Sequence, residues 1–357
     1  MKLYPLSAQS EEYLPYAVGG LLYMPAFQEN IAAKILGGQI PALMSVAFCL
    51  EDAIADDAVL SAEKALLNTL EELQNGAIKT KDSFARILSG DGQKAASAKN
   101  VIGRAAGGFD LPLLFVRVRS PEQIYRLSEN RVVQDLITGF IAPKFDLTNA
   151  GAYIEAIHAV KSRLMPILES AGAANVSRRV AVLTELKRIL DDNHRIVVNV
   201  RVGGNDFCGL YGLRRNVGQT IYEIGILRDI MTEILSVFSV DYVVSAPVWN
   251  YFGNDGRAAW AQGLKKELAL DMLNGFIGKT AIHPTQLPII ADALKVSAED
   301  YDDANCILNW QDSRQAVAKS VGKNRLNELK CHARWAKRIK ILGDIYGIKE
   351  PLKDVLS

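Results

Sequence analysis

Acidic and basic side chains follow several short apolar runs of this 357-residue sequence, at points where a buried strand would end. The residues in such positions are Glu51, Asp52, Arg117, Lys144, Glu169, Asp206 and His283. Two carboxylates from neighbouring strand ends suit a magnesium site, because Mg²⁺ prefers oxygen ligands and keeps positions open for water and substrate. We therefore interpret Glu169 and Asp206 as candidate metal ligands, with Arg117 and Lys144 nearby.

A structural role for the two acids is the alternative interpretation. Glu169 and Asp206 could pair with Arg117 or Arg201, or they could cap the helices that follow, as acids at strand-to-helix junctions often do. Asp206 stands in a Gly-Gly-Asn-Asp segment, which suits a helix N-cap. The residue spacing by itself leaves both interpretations open.

The elements that would position these side chains alternate along the chain. Short β-rich apolar runs are followed by longer amphipathic stretches, a pattern typical of βα units around a buried parallel sheet. Predicted strands are 21–24, 43–49, 113–117, 139–142, 164–169, 196–200, 242–245 and 279–282. Predicted helices between them are 58–73, 121–130, 150–158, 178–192, 219–238 and 258–274. Eight such units favour a closed (β/α)8 TIM barrel, whose functional groups gather at the C-terminal ends of the strands.

The strand pattern stops after Pro284. Three helices are predicted beyond it, over residues 287–294, 298–316 and 327–346. We therefore divide the chain into a barrel domain at 1–290 and a C-terminal helical extension at 291–357. Residues 75–108, rich in Gly, Ala, Ser and Lys, are long for a strand-to-helix connection and are interpreted as an insertion or a flexible part.

Composition excludes several classes of function. The chain is 49% hydrophobic and 23% charged with a formal net charge of +1, so it creates no strong field for nucleic acid or an anionic membrane. It contains no apolar run of roughly 20 residues and no secretory pattern at its N-terminus. Its four cysteines are scattered without CxxC spacing. We expect a cytoplasmic protein that binds neither nucleic acid nor membrane.

Seven segments, in the correct order, resemble the citrate lyase beta subunit and malyl-CoA lyase-like family, which includes the HpcH/HpaI aldolases. The matching residues are 22–26, 50–54, 115–119, 143–144, 167–170, 205–207 with 212–215, and 278–286. The last segment is the most specific, because it almost reproduces the family's Gly-Lys-x-x-Ile-His-Pro-x-Gln. The chain is most similar to a divergent branch of these carbon–carbon bond lyases.

The resemblance implies a barrel enzyme that uses Mg²⁺ to break or form a carbon–carbon bond in a small oxo- or hydroxy-acid. It implies that Glu169 and Asp206 hold the metal and that Arg117 binds the substrate's carboxylate or a developing oxyanion. Glu51 and Asp52 would be acids of the catalytic site that orient water.

The Pro143-Lys144 pair matches the family's Pro-Lys and is assigned to substrate binding. His283 matches a turn histidine for which we expect a structural role. Related proteins use the C-terminal part to cover a neighbouring protomer, so the resemblance also implies a homo-oligomer, and a trimer or hexamer would suit.

Three positions depart from the family pattern. Cys49 replaces an Asp, Arg119 replaces an Asn, and Leu326 aligns with a late Asp that acyl-CoA-using members often carry. These changes argue against a CoA thioester substrate, although Glu328 is an alternative acid for the last position.

Two other functions compete with the metal-dependent lyase. A non-catalytic barrel that binds a ligand or partner within a multi-protein pathway would explain the departures. An aldolase that forms a Schiff base through Lys144 or Lys279 is the third hypothesis, although a metal-assisted site has no need of an imine.

Overall fold

A computed structural model describes residues 8–88, 111–311 and 315–349 of the chain. Eight parallel strands form one sheet in the order β7-β6-β5-β4-β3-β2-β1-β8. They are β1 Gly20–Pro25, β2 Ser45–Cys49, β3 Leu113–Arg117, β4 Gly139–Ala142, β5 Leu164–Leu168, β6 Val200–Val202, β7 Val244–Ser245 and β8 Lys279–Ala281. A parallel bridge between Ala246 and Lys279 joins the two edges of the sheet. The predicted (β/α)8 barrel is thereby confirmed.

Helices surround this sheet. In chain order they are α1 Ala8–Ala17, α2 Ile31–Leu36, α3 Val59–Leu88, α4 Pro121–Ser128, α5 Arg131–Leu136, α6 Ala150–Val160, α7 Ala171–Ala174, α8 Arg179–Asp192, α9 Gly204–Leu210, α10 Gly225–Phe238, α11 Ala259–Asn274, α12 Leu287–Ala293, α13 Ala298–Leu308 and α14 Leu329–Tyr346. In the described residues, no helix combines the length and the apolar composition that crossing a membrane requires.

Two apolar cores follow from the alternation of side chains along each strand. The larger core lies between the outer face of the sheet and the helices. The smaller core fills the barrel and contains Leu21, Ala47, Phe115, Ile141, Met165, Ile167 and Val198. Because side chains on one face repeat every two residues, the next inward positions along β1, β2, β3 and β5 bring Tyr23, Cys49, Arg117 and Glu169 to the mouth.

Several boundaries differ from those predicted. Helix α3 continues from Val59 to Leu88, so the first part of the segment at 75–108 is helical and residues 89–108 lie outside the described residues. Strand β6 begins at Val200 rather than at residue 196, because a 3-10 turn occupies His194–Ile196 and regular pairing with β7 starts only at Val200.

The prediction that only helices follow Pro284 is wrong. An antiparallel pair, β9 Val317–Lys319 and β10 Leu326–Glu328, stands between α13 and α14. Asp303 of α13 holds the turn of this hairpin, since its carboxylate accepts from the Val321 amide at 2.9 Å and from Arg325 Nε at 2.7 Å. The predicted domain boundary at residue 290 stays a prediction.

Candidate active site

A cavity of about 400 Å³ opens at the C-terminal ends of the strands. Its lining includes Tyr23, Asp52, Arg117, Glu169, Arg201 and Asp206. The barrel's inner apolar core lies directly beneath, so these polar side chains form the floor and walls of a closed-ended pocket. Four of the residues singled out in the sequence therefore meet at one place.

Arg117 stands at the centre of the charged groups. It is the last residue of β3, is only 5% exposed, and directs Nη2 to three carboxylates. The distances from Nη2 are 2.8 Å to Glu51, 2.9 Å to Asp52 and 3.6 Å to Glu169. Burial alone would lower the pKa of Arg117, but Tyr23 and the neighbouring acids raise it above its usual value. The guanidinium therefore stays charged.

Lys144 links the same acids from β4. It follows Pro143, and its Nζ lies 2.6 Å from Glu51, 3.3 Å from Asp52 and 3.7 Å from Asp206. Lys144 has a left-handed backbone, with φ of 48°, and its amide donates a 2.8 Å hydrogen bond to Oε1 of Glu169. The turn after β4 thus positions a carboxylate of β5 as well as an ammonium group.

Glu169 and Asp206 form an acidic pair. Glu169 directly follows β5 and is 4% exposed, whereas Asp206 lies in the first turn of α9, after β6. Burial, and to a smaller extent Asp206, raise the pKa of Glu169 to about 8 against the opposing charge of Arg117. Without a cation, the pair therefore keeps a proton at neutral pH.

The described residues support one structural alternative for these acids and not the other. Glu169 pairs with Arg117 at 3.6 Å, whereas no ion pair joins it to Arg201 among the described residues. The N-cap position of α9 is Gly203, and no side-chain capping hydrogen bond occurs there. Asp206 therefore does not cap α9, and its carboxylate instead lies beside Glu169 and 3.7 Å from Nζ of Lys144.

The donor set fits a hard divalent cation that retains water. The described residues contain no ready cluster of three or more His, Cys, Asp or Glu side chains for a metal. Two carboxylates alone are nevertheless the protein contribution that Mg²⁺ often receives, with water and substrate oxygens completing its shell. A buried acid that holds a proton beside a second acid is a place where a cation can replace that proton.

Arg119, which replaces an Asn of the family pattern, has a structural role. Its Nε donates to the Leu50 carbonyl at 2.7 Å, and Nη2 donates to the carbonyls of Glu51 and Ile54. Arg119 also pairs with Asp56 at 2.5 Å. This side chain therefore fastens the loop that carries Glu51 and Asp52, a task that an Asn is too short to perform.

Two residues of the segment 278–286, Lys279 and His283, lie away from the acidic residues of the pocket. Lys279 is fully buried outside the barrel lumen, between Glu267 at 2.9 Å and Asp271 at 2.8 Å. His283 caps the short 3-10 turn Pro284–Gln286 and stacks on Phe252 with ring centroids 4.4 Å apart. Lys279, at the start of β8, therefore serves a buried ion-pair cluster, and His283, after the end of β8, serves the packing of a turn.

Sequence reasoning did not identify four residues of the pocket, namely Tyr23, Arg201, Gly203 and Thr280. Arg201 was considered only as a partner for the acids. A charged residue inside an apolar strand is the one signal that could have drawn attention to it, because a strand buried on both faces is usually wholly apolar.

Comparison with solved structures finds the same fold in several proteins. A citrate lyase from Burkholderia xenovorans LB400 has 14% identity and a TM-score of 0.60, with 94% of each chain covered. The protein CitE from Mycobacterium tuberculosis, solved with magnesium, acetoacetate and coenzyme A, has 17% identity and a TM-score of 0.56, with 91% of this chain and 98% of that chain covered. RipC from Yersinia pestis has 15% identity and a TM-score of 0.50, with 80% and 98% covered.

At these identities, the structural likeness establishes the fold alone. A comparison with curated protein sequences gave no match. A family model described as a C–C bond lyase of the TIM-barrel fold matches residues 12–348. This match spans nearly the whole chain and confirms the resemblance found in the sequence: the protein belongs to the C–C bond lyase family of the TIM-barrel fold.

Proposed function

We propose that this protein is a Mg²⁺-dependent carbon–carbon lyase or aldolase, similar to the citrate lyase beta subunit, that acts on a small oxo- or hydroxy-acid. The observation that carries the proposal is the meeting of the Glu169–Asp206 pair with Arg117 at the barrel mouth. The similar CitE structure contains magnesium together with a small oxo-acid, acetoacetate, which supports the same class of ligands here.

Glu169 and Asp206 are the residues that would hold the metal. When bound, Mg²⁺ supplies Lewis acidity toward substrate oxygens. Lys144 keeps the Glu169 carboxylate in place through its backbone amide, at 2.8 Å. Loss of the proton from Glu169 accompanies cation binding, since a carboxylate must be ionised to act as a ligand.

Arg117 is proposed to bind the acid group of the substrate or the oxyanion that develops on it. Its Nε is buried without a hydrogen-bond partner among the described residues, which leaves an N–H for a ligand. Cleaving the bond beside a hydroxyl-bearing carbon yields a carbonyl compound and an enolate. A guanidinium fixed by Glu51 and Asp52 can stabilise that negative charge without reorganising.

Glu51 and Asp52 are proposed to orient water. Their ion pairs with Arg117 and Lys144 are proposed to hold these two side chains in place. Asp52 is half-exposed, and hydrogen bonding and the charges of Arg117 and Lys144 keep its pKa below the usual range despite partial burial. Pro143 and Lys144 are proposed to complete the substrate side of the pocket. The ammonium of Lys144 reaches Glu51, Asp52 and Asp206 together.

Calorimetric titration tests the proposal. Pyruvate, oxaloacetate and glyoxylate are added to the protein with and without Mg²⁺, and each acid is expected to bind markedly more tightly when the metal is present. The Glu169→Ala variant should lose this gain in affinity from Mg²⁺, whereas Glu185→Ala, at an exposed site on α8, should behave as wild type. Absence of heat in the wild type with all three acids would refute the proposed site.

Turnover separates the lyase from the non-catalytic alternative. A panel of hydroxy-acids is incubated with the Mg²⁺-loaded protein, and the carbonyl product is measured. Metal and oxo-acid binding without any product would favour a ligand-binding barrel. The homo-oligomer, the cytoplasmic location and the argument against a CoA thioester substrate stay predictions of the sequence.

A further inference from the structure

Arg201 is a buried guanidinium at the floor of the pocket. It lies on the inward face of β6, is 1% exposed, and lines the cavity. Its Nη2 donates to the Thr280 hydroxyl at 2.7 Å. Its Nε and Nη1 have no hydrogen-bond partner among the described residues. Three N–H bonds of a buried cation are therefore unused.

The other buried arginines in the described part of the chain all have a carboxylate partner. Arg117 reaches Glu51 at 2.8 Å, Arg179 reaches Glu233 at 3.2 Å, and Arg215 reaches Glu267 at 3.0 Å. No described carboxylate lies within 4.0 Å of the Arg201 nitrogens. A buried charge without a counter-ion is strongly unfavourable, so proteins usually pair it.

The neighbouring phenol does not supply the missing charge. Tyr23 lies beside both Arg117 and Arg201, with its ring centroid 5.7 Å from the Arg117 guanidinium. Burial raises the pKa of Tyr23, and this effect outweighs the opposing influence of the two arginines. Tyr23 is therefore neutral at physiological pH, and the positive charge of Arg201 faces the cavity uncompensated.

The shape of the free donors indicates the chemistry of the missing anion. A planar guanidinium matches the two oxygens of a carboxylate in a bidentate arrangement. At the floor of the pocket, Arg201 offers one guanidinium with free N–H groups, next to the hydroxyl of Thr280. Arg117, in contrast, is already surrounded by three acids. A single guanidinium with few additional hydrogen-bond donors around it suits a carboxylate better than a phosphate.

Strand register places Arg201 below the acidic pair. Arg201 is opposite Ile167 in the pairing of β5 with β6, and Glu169 stands two residues further toward the mouth. Two residues of a strand span roughly 6 to 7 Å, a distance that a short-chain diacid can bridge. The second carboxylate of such a molecule would reach Arg201 while its oxo-acid end faces the metal that Glu169 and Asp206 would hold.

We propose that Arg201 binds a second carboxylate of the substrate, so that the oxo- or hydroxy-acid used by this protein is a dicarboxylic acid. This inference rests on the proposed lyase function and assigns the substrate class of the same pocket. Arg201 is thus a specificity-determining residue, separate from the groups that would hold the metal.

The first test needs no ligand. Arg201→Met keeps the length of the side chain and removes the charge, so the ligand-free variant is expected to melt at the wild-type temperature or higher. Arg215→Met is the matched control: it leaves the buried Glu267 without its guanidinium and should melt lower. Melting of Arg201→Met several degrees below wild type would mean that Arg201 serves the fold, and this would overturn the proposal.

The second test compares 2-oxoglutarate with 2-oxobutyrate by calorimetry in the presence of Mg²⁺. Wild type should bind the diacid at least about tenfold more tightly, as is typical for a desolvated charge pair. Arg201→Met should lose that preference and keep its affinity for the monoacid, while Arg201→Lys should restore part of it. Equal affinities in wild type, or a preference retained by Arg201→Met, would overturn the proposal.

Glutarate without Mg²⁺ separates this inference from the proposed function, because it lacks the oxo group. If glutarate raises the melting temperature of wild type but not of Arg201→Met, the Arg201 site is supported. If oxo-acid binding also proves independent of Mg²⁺ and of Glu169→Gln, the metal-dependent lyase is refuted while the Arg201 site stands. Failure of every diacid to stabilise or bind wild type would overturn the Arg201 site.

Discussion

The carboxylate of Glu169 lies against Gly203, in the space that a side chain at position 203 would fill. A Cβ built on Gly203 would overlap Oε2 of Glu169 and would come within 2.8 Å of its Cδ. The backbone of Gly203 is ordinary, with φ of −91°, so the absence of a side chain, and not a special conformation, is what this position provides. Gly203, directly after β6, therefore leaves room for Glu169, directly after β5.

Gly203→Ala should displace the Glu169 carboxylate and abolish the stabilisation of the protein by Mg²⁺. Overpacking of this kind typically costs about 1–3 kcal/mol in the free energy of unfolding. The control is Gly209→Ala in α9, where a Cβ would meet nothing within 4 Å. Thermal melting with and without Mg²⁺ measures both effects. A wild-type response of Gly203→Ala to Mg²⁺ would contradict the assigned role of Glu169.

Stability of the metal-free protein should fall as the pH rises from about 4.5 to 8. Burial raises the pKa of Glu169 to about 8. The unfolded chain releases this proton near the ordinary pKa of Glu, about 4.3, so across the interval between the two values the unfolded state is favoured progressively. Glu169→Gln cannot ionise and should lack this part of the pH dependence.

Urea unfolding in EDTA at pH 5 and pH 8 measures the effect. The free energy of unfolding of Glu169→Gln, relative to that of wild type, should be higher at pH 8 than at pH 5. An identical pH dependence of wild type and variant would show that the acid is already ionised in the folded protein.

Arg117 and Lys144 should differ strongly in their effect on stability, although both contact Glu51. Arg117→Met leaves the largely buried carboxylate of Glu51 without its guanidinium and should cost about 3–5 kcal/mol. Lys144 is half-exposed, so Lys144→Met should cost within about 1 kcal/mol. Both variants should weaken oxo-acid binding. Denaturant unfolding compares the two, and equal losses would mean that burial does not control these ion pairs.

Borohydride should trap no adduct between the protein and pyruvate or glyoxylate. Burial lowers the pKa of Lys144, but hydrogen bonding to Glu51 and the charges of the neighbouring acids raise it above its usual value, which leaves the amine protonated. Lys279 is fully buried and bound by two carboxylates. Mass spectrometry of the intact protein after reduction provides the measurement. A stable adduct at either lysine would establish the Schiff-base aldolase instead.

The barrel could be predicted because its strands are continuous apolar runs. β3 at Leu113–Arg117 and β4 at Gly139–Ala142 have the predicted bounds, since both are buried along nearly their whole length. The apolar run before β6 starts at Ile196, but a 3-10 turn ends there and regular pairing starts only at Val200, so the predicted start of this strand is too early. The hairpin β9–β10 is mostly exposed and has no strong apolar alternation to reveal it.

The sequence by itself determined which acids and cations follow the strands, and order along the chain predicted that Glu51, Arg117, Glu169 and Asp206 would share one end of a barrel. Tertiary structure alone decided which charges are compensated. Pairing depends on distances between residues far apart in the chain and on which face of a strand each occupies. For that reason, Arg117 is surrounded by carboxylates while Arg201 has no carboxylate partner in the described part of the chain, and Gly203 matters only because Glu169 lies beside it.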